Sequence, residues 1–171
     1  ANDVLDNAKL PDTEKMLEYE LEKHTAKELE MRRILCSILK RGYTKKLFTS
    51  VNGVMSVRVD ENSFLIPEKG VDNGLIKLDD LTLVSDGKRE KGRIPNLMAT
   101  LHQKIYEKHS EIQSIITSSP VHTMGFVVTD TVYDTTLYPE SYGVLCNANR
   151  YAFGELFENM DKIAENMDLT H

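Results

Sequence analysis

The stretch VMSVRVDENSFLIP, residues 54–67, decides the fold class of this 171-residue chain. Apolar and β-branched residues fill both halves, and the DEN at residues 60–62 is typical of a turn. This pattern predicts two strands joined by a tight turn. The stretch LTLVSDGKREKG, residues 81–92, predicts a second hairpin, because Asp86 and Gly87 at its tip favour a type I′ turn.

A clear helical period precedes the hairpins. In TAKELEMRRILCSILKRGY, residues 25–43, Thr25 and Glu28 have the spacing of a capping box. The period predicts a helix over residues 26–41, with Gly42 as the residue that ends it. The apolar side chains that recur at helical spacing, and that we expect in the core, are Met31, Ile34, Leu35, Ile38 and Leu39.

Shorter elements follow the hairpins. Pro95 and Asn96 open a predicted helix, with Asn96 as its N-cap. We expect IQSIITS, residues 112–118, to be a central strand, and PVHTMGFVVT, residues 120–129, to be a short helix packed behind it. Two further short helices are predicted in YPESYGVL and FENMDKIAENM.

Helices at both ends with strands in hairpins predict an α+β fold or a layered α/β/α fold around a mixed sheet. A narrow apolar stripe predicts one more helix over residues 13–23. We therefore divide the chain into an N-terminal helical extension, residues 1–25, and a domain, residues 26–171. The ending DLTH leaves open whether the domain continues beyond His171.

Composition narrows the classes of partner. The net charge of −6 argues against nucleic acid and anionic membrane surfaces. Apolar runs stay well short of the roughly 18 residues that a membrane-spanning helix needs. We interpret Cys36 and Cys146 as reduced core thiols, which predicts a cytoplasmic protein.

The order of elements from Gly42 to Thr129 resembles the class II aldolase/adducin family. The matching segments are RGYTKKLFTSVNGVMSVR, FLIPEKG, the run from DDLTLVSDGKREKG to SIITSSPVH, and TTLYPESY. The resemblance covers about two-thirds of the chain, and its motifs are specific only in combination. It implies a three-layer α/β/α class II aldolase-like fold with a central mixed, largely antiparallel sheet. It also implies a homo-oligomer.

The resemblance implies zinc chemistry, but the positions that would carry it are substituted. The family's His-x-His pair of zinc ligands falls on Thr117 and Ser119, whose hydroxyls are poor zinc ligands. Its proton-moving glutamate falls on Met98, which cannot transfer a proton. We therefore expect no metal or other cofactor and no ordinary zinc-dependent activity.

The phosphate-binding positions of the family are kept in part. Gly53 keeps the glycine of one loop, and Lys69 replaces the serine beside the retained Gly70 in another. Asn96 stands at the start of the family's Ser-Ser pair. We expect a small phosphorylated or anionic ligand, and the candidate ligand-binding residues are Gly53, Lys69, Gly70, Asn96, Thr117 and Ser119.

Three further residues are candidates for catalysis. His122 is either a replacement acid, base or ligand at the strand exit or a histidine that packs in a short helix; the sequence favours packing. Glu140 is either a substitute base or an acid that complements a helix dipole. Tyr142, with Tyr138 nearby, is a candidate donor to an oxyanion.

Three hypotheses about function follow. The favoured one is a catalytically degenerate domain that serves as a ligand-binding or scaffold and oligomerisation module. The alternative is a sugar-phosphate aldehyde-lyase or epimerase with a rebuilt active site. The third is that the chain is one part of a longer tandem or interrupted protein.

Overall fold

A computed structural model describes residues 11–129, 131, 134–145, 149–152 and 154–167. Its six-stranded sheet consists of β1 (Glu18–Tyr19), β2 (Val54–Asp60), β3 (Ser63–Pro67), β4 (Leu81–Ser85), β5 (Lys88–Glu90) and β6 (Ser114–Thr117). The helices are α1 (Ala26–Thr44), α2 (Ala99–Lys108), α3 (Val121–Val128), α4 (Pro139–Leu145), α5 (Glu155–Glu158) and α6 (Met160–Glu165), and the described residues also form three short 3₁₀ turns.

The sheet is mixed and largely antiparallel, as predicted. Its order is β1-β5-β4-β3-β2-β6, and only the β1–β5 pair is parallel. Both predicted hairpins are present. At the tip of the second hairpin, Asp86 and Gly87 have φ angles of 49° and 72°, the left-handed pair that a type I′ turn requires.

Apolar residues on the two faces of the sheet form two cores, which makes the fold a three-layer α/β/α sandwich. On one face, Leu35 and Leu39 of α1 pack with Leu65 of β3 and with neighbouring apolar residues. On the other face, Ile105 of α2 and Ile163 of α6 pack over the opposite side of the same strands. The predicted fold class is therefore confirmed.

Helix α1 begins where the sequence predicts but ends later. Thr25 Oγ1 accepts a hydrogen bond from Glu28 N at 3.1 Å. The helix then runs through Gly42 to Thr44, so the prediction of Gly42 as its end is wrong. Lys46 (φ 61°) takes the left-handed position instead, and Leu47 N donates to Gly42 O at 2.9 Å, as in a Schellman motif.

The reason for glycine at position 42 is close packing. A Cβ atom there would lie 2.5 Å from two ring carbons of Phe48. Gly53 faces the same ring, because a Cβ atom at position 53 would lie 2.4 Å from Phe48 Cδ1. The buried ring of Phe48 thus sits between two glycines and joins the end of α1 to the start of β2.

The buried stripe of α1 differs from the predicted one. Leu35 and Leu39 are fully buried as predicted, but Ile34 and Ile38 are 39% and 37% exposed. The buried face of the helix is therefore rotated relative to the predicted one, and it includes Arg32, whose guanidinium donates to Leu81 O at 2.6 Å. Cys36 lies on this buried face as predicted, and burial raises the pKa of its thiol. Cys146 lies outside the described residues.

The predicted helix over residues 13–23 is wrong. The segment forms a 3₁₀ turn at Thr13–Lys15 and then strand β1, which pairs with β5 and lies at the edge of the sheet. Backbone hydrogen bonds from Arg89 N to Leu17 O and from Lys91 N to Tyr19 O hold it there. These backbone hydrogen bonds to β5 stabilise the strand more than the narrow apolar stripe would stabilise a helix. The boundary at residue 25 stays a prediction.

The elements after α2 depart from the prediction in position rather than in type. β6 pairs with β2 alone among the described strands, so it is an edge strand and not the predicted central one. Helices α3 and α4 form as predicted, while the last predicted helix is broken at Asn159 into α5 and α6. α3 does not pack behind the strand, since every residue of Val121–Val128 is exposed.

Within the described residues, no helix is long and apolar enough to cross a membrane.

Candidate functional site

One end of the sheet gathers the predicted ligand-binding positions. β2 is antiparallel to both β3 and β6, so the start of β2 lies at the same end of the sheet as the ends of its two neighbours. Val54, which follows Gly53, is paired with Thr117. Glu68 forms an isolated bridge with Pro95. The structure therefore brings to this end all six positions: Gly53, Lys69, Gly70, Asn96, Thr117 and Ser119.

The loop from Thr49 to Gly53 is held in a fixed shape. The buried side chain of Asn73 donates from Nδ2 to Thr49 O and to Gly53 O, both at 3.0 Å. Inside the loop, Asn52 N donates to Thr49 Oγ1 at 3.0 Å. Gly53 has a φ of 96°, a backbone conformation that side-chain-bearing residues rarely adopt. These contacts preorganise the loop before any ligand arrives.

A cavity of about 460 Å³ lies against this loop. Thr49 and Asn52 line it from the loop, and Ser119 lines it from the chain after β6. Tyr43 in the last turn of α1 and Lys46 just after the helix also line it. The lining therefore combines one positive charge and hydroxyl and amide groups with the aromatic or apolar side chains of Tyr43, Leu47, Phe48 and Val121.

The predicted lysine differs from the one that lines the cavity. Lys69 Nζ forms an ion pair with Glu14 Oε1 at 2.8 Å, so its charge is neutralised by the N-terminal segment. Lys46 forms no ion pair with any described residue. The positive charge that faces this cavity is therefore that of Lys46.

Asn96 forms a turn just before α2. Its Oδ1 accepts a hydrogen bond from Met98 N at 3.1 Å, and its carbonyl accepts from Ala99 N at 2.9 Å. The prediction of Asn96 as N-cap is wrong, because α2 begins at Ala99 and its N-cap is Met98, which makes no side-chain cap bond. Met98 itself is buried in the core, which suits an apolar side chain and not an acid.

A buried chain of polar side chains reaches Thr117 from the core. His102 Nε2 lies 2.9 Å from Thr117 Oγ1, and its Nδ1 lies 2.8 Å from Ser56 Oγ. Ser56 Oγ in turn lies 2.8 Å from the hydroxyl of Tyr106. Burial lowers the pKa of His102 to about 3 and raises the pKa of Tyr106 to about 12, so both groups are neutral at pH 7.

The residues at the strand exit do not fit a zinc ion. Thr117 and Ser119 offer neutral hydroxyls, and that of Thr117 is already bonded to His102. Across the described part of the chain, no three His, Cys, Asp or Glu side chains are grouped as a metal site would require.

The three catalytic candidates are not brought together by any described contact. His122 is exposed on α3, so the packing that the sequence favoured is wrong. Glu140 and Tyr142 are exposed on α4, and neither side chain forms a hydrogen bond within the described residues.

Sequence reasoning missed most residues that line the cavity and the residue that fixes its loop. Tyr43, Lys46, Thr49 and Asn52 lie in the quoted segment RGYTKKLFTSVNG, but nothing in their spacing shows that they line a cavity. Asn73 follows an aspartate in VDNG, a pattern typical of an exposed turn, so its hydrogen bonds to the 49–53 loop could not be predicted. Only the structure shows that its side chain is buried.

The sequence profile of the class II aldolase and adducin N-terminal domain matches residues 33–168. This chain belongs to the class II aldolase/adducin family. No sequence among curated proteins matches it significantly.

Solved structures support the same fold for this class II aldolase/adducin domain. L-fuculose-1-phosphate aldolase from Thermus thermophilus has a TM-score of 0.66 at 18% identity, over 82% of this chain and 71% of that protein. YgbL from Escherichia coli has a TM-score of 0.55 at 17% identity, over 58% and 48%. An aldolase II superfamily protein from Pseudomonas syringae has a TM-score of 0.54 at 19% identity, over 61% and 44%. The matches to the latter two span about half of their length.

Proposed function

We propose that this class II aldolase/adducin domain binds a small phosphorylated ligand at the 49–53 loop and does not catalyse ordinary zinc-dependent aldol cleavage. The observation that carries the proposal is the hydrogen bond between Thr117 and His102, because it occupies a hydroxyl that stands where the family has a zinc-binding histidine. The second ligand position is the exposed Ser119, and the acid/base position is the buried Met98.

The cavity lining supports an anionic ligand. Lys46 supplies an ammonium without a carboxylate partner among the described residues, and Thr49, Asn52 and Ser119 supply hydrogen-bond donors beside it. Charged hydrogen bonds from such donors to phosphate oxygens are about twice as strong as neutral ones. A loop fixed by Asn73 lowers the ordering cost of binding.

Calorimetric titration with inorganic phosphate and with L-fuculose 1-phosphate tests the binding half of the proposal. Lys46→Met should weaken binding of both probes by about tenfold, because it removes one charged contact. Lys45→Met is the matched control, since Lys45 is the exposed neighbour that does not line the cavity. Equal effects of the two variants would refute a specific role for Lys46.

An activity assay tests the other half. The purified protein, prepared without a histidine tag and incubated with zinc, cobalt or manganese, should hold no stoichiometric metal after dialysis. It should also leave L-fuculose 1-phosphate uncleaved. Robust metal-dependent cleavage would overturn the proposal and favour the alternative, a lyase or epimerase with a rebuilt site.

Self-association is the second part of the proposed role. Val121, Val127 and Val128 of α3 are more than half exposed, and β6 has an edge that no described strand covers. We expect sedimentation equilibrium to give a mass of at least twice the 19.5 kDa of one chain. A strictly monomeric protein at high micromolar concentration would remove the oligomerisation role and leave ligand binding.

A further inference from the structure

The buried chain from Tyr106 to Thr117 has one favoured direction of hydrogen bonding. Tyr106 is buried, and within the described residues the only acceptor for its hydroxyl hydrogen is Ser56 Oγ at 2.8 Å. If Tyr106 donates to Ser56, the hydroxyl of Ser56 is left to donate to its other partner, His102 Nδ1 at 2.8 Å. Ser56 is itself fully buried, so water does not substitute for either bond.

The direction fixes the tautomer of His102. An imidazole whose Nδ1 accepts a hydrogen bond, and which is neutral, carries its hydrogen on Nε2. Nε2 then donates to Thr117 Oγ1 at 2.9 Å. The reverse direction would leave the phenol hydrogen of Tyr106 buried without an acceptor, and that penalty disfavours it by roughly tenfold or more.

Thr117 is consequently left with one hydrogen to give. Its hydroxyl oxygen accepts from His102, and the hydroxyl has no other hydrogen-bond partner among the described residues. Thr117 is only partly buried, at the end of β6 and two residues before Ser119, which lines the cavity. A ligand at this end of the sheet would therefore meet a hydroxyl whose hydrogen is available to donate.

We propose that Thr117 is a ligand-orienting hydrogen-bond donor, set by the Tyr106–Ser56–His102 chain to recognise an acceptor oxygen of the small ligand. The acceptor is a phosphate oxygen or a carbonyl or hydroxyl oxygen of the sugar part. This inference rests on the proposed function, since it needs a ligand in the cavity. The threonine side chain thus orients the ligand by donating a hydrogen bond and does not bind a metal.

The tautomer is measurable without any ligand. Two-bond ¹H–¹⁵N correlation spectra of the wild-type protein should show His102 with a protonated Nε2 and an unprotonated Nδ1 at pH 7. The Tyr106→Phe variant should show a mixture of tautomers, because the group that sets the direction is gone. A wild-type His102 protonated on Nδ1, or on both nitrogens, would overturn the inference.

Ligand binding provides the second test. Thr117→Val keeps the shape but removes the donor, and it should weaken binding by about tenfold, whereas Thr117→Ser should bind within about twofold of wild type. A loss for both inorganic phosphate and L-fuculose 1-phosphate indicates a phosphate contact. A loss for the sugar phosphate alone indicates a contact with the sugar.

The two levels of proposal fail differently. If wild type binds either probe and Thr117→Val binds it equally well, while circular dichroism shows both are folded, the inference about Thr117 is wrong and the proposed function stands. If wild type binds neither probe, the proposed function fails and the role of Thr117 toward a ligand fails with it. The tautomer result then concerns only the internal hydrogen-bond chain.

Discussion

Replacement of Gly42 by alanine should destabilise the fold, although alanine is the better helix former. In a helix interior the change is ordinarily worth about 1 kcal/mol in favour of alanine. Here the new methyl group would lie 2.5 Å from Cδ2 and Cε2 of Phe48, against an ordinary carbon–carbon contact of about 3.5–4.0 Å. The ring or the helix therefore has to move by about 1 Å.

The ring of Phe48 has little room to move. It is buried, and Gly53 closes its other side. Overpacking of this kind typically costs about 1–3 kcal/mol, which exceeds the gain in helix propensity. We expect a net loss of about 1 kcal/mol in the free energy of unfolding. Because the ring also contacts the start of β2, affinity for phosphate should fall as well.

Urea denaturation followed by circular dichroism measures this loss, provided that the slope with denaturant is unchanged. Gly125→Ala is the control, since it lies inside α3 and a Cβ atom there meets nothing within 4 Å. Phe48→Leu should reduce the cost of Gly42→Ala, which a double-mutant cycle detects. A protein stabilised by Gly42→Ala would refute the argument that close packing requires glycine there.

Three further predictions follow from buried polar groups. Asn73→Ala should lower the free energy of unfolding by about 1–3 kcal/mol and weaken phosphate binding, because two loop carbonyls lose their donor. The free energy of unfolding should rise between about pH 5 and 6.5, by up to about 1.4 kcal/mol per pH unit. The cause is His102, because the unfolded chain protonates it near its ordinary pKa, whereas burial in the folded chain lowers that pKa to about 3. Glu28→Gln should cost about 3 kcal/mol, because Glu28 and Arg32 are a buried ion pair, 2% and 3% exposed.

Each of the three has a control measured by urea denaturation. Glu30→Gln alters an exposed ion pair of the same helix and should change stability by less than about 1 kcal/mol. His102→Gln should flatten the dependence on pH, and an unaltered slope would mean that other groups cause it. For Asn73, an Asn73→Asp variant that is as stable as wild type would show that the amide donor is dispensable.

Most elements of this fold were readable from local sequence, but their limits were not. Thr25 predicts the start of α1 because a side-chain cap acts within one turn of the helix. Its end was misjudged because the glycine at position 42 serves Phe48, which comes from outside the helix. Residues 13–23 were misjudged because strand β1 exists only where β5 offers an edge to pair with.

The candidate site shows the same division. The substitution of both zinc-ligand positions, at Thr117 and Ser119, was visible from the sequence once the family pattern was matched. The sequence did not indicate that His102 bonds Thr117, or that Lys46 lines the cavity in place of Lys69.

By itself, the sequence determined the hairpins, the helix that precedes them and the chemical identity of the groups at the strand exit. Periodicity, caps and turn residues act over a few positions, so they are written locally. Only the tertiary structure decided which face of α1 is buried, that β6 lies at the edge, and which polar groups meet. Those outcomes depend on contacts between residues far apart in the chain, such as the 46 positions that separate Ser56 from His102.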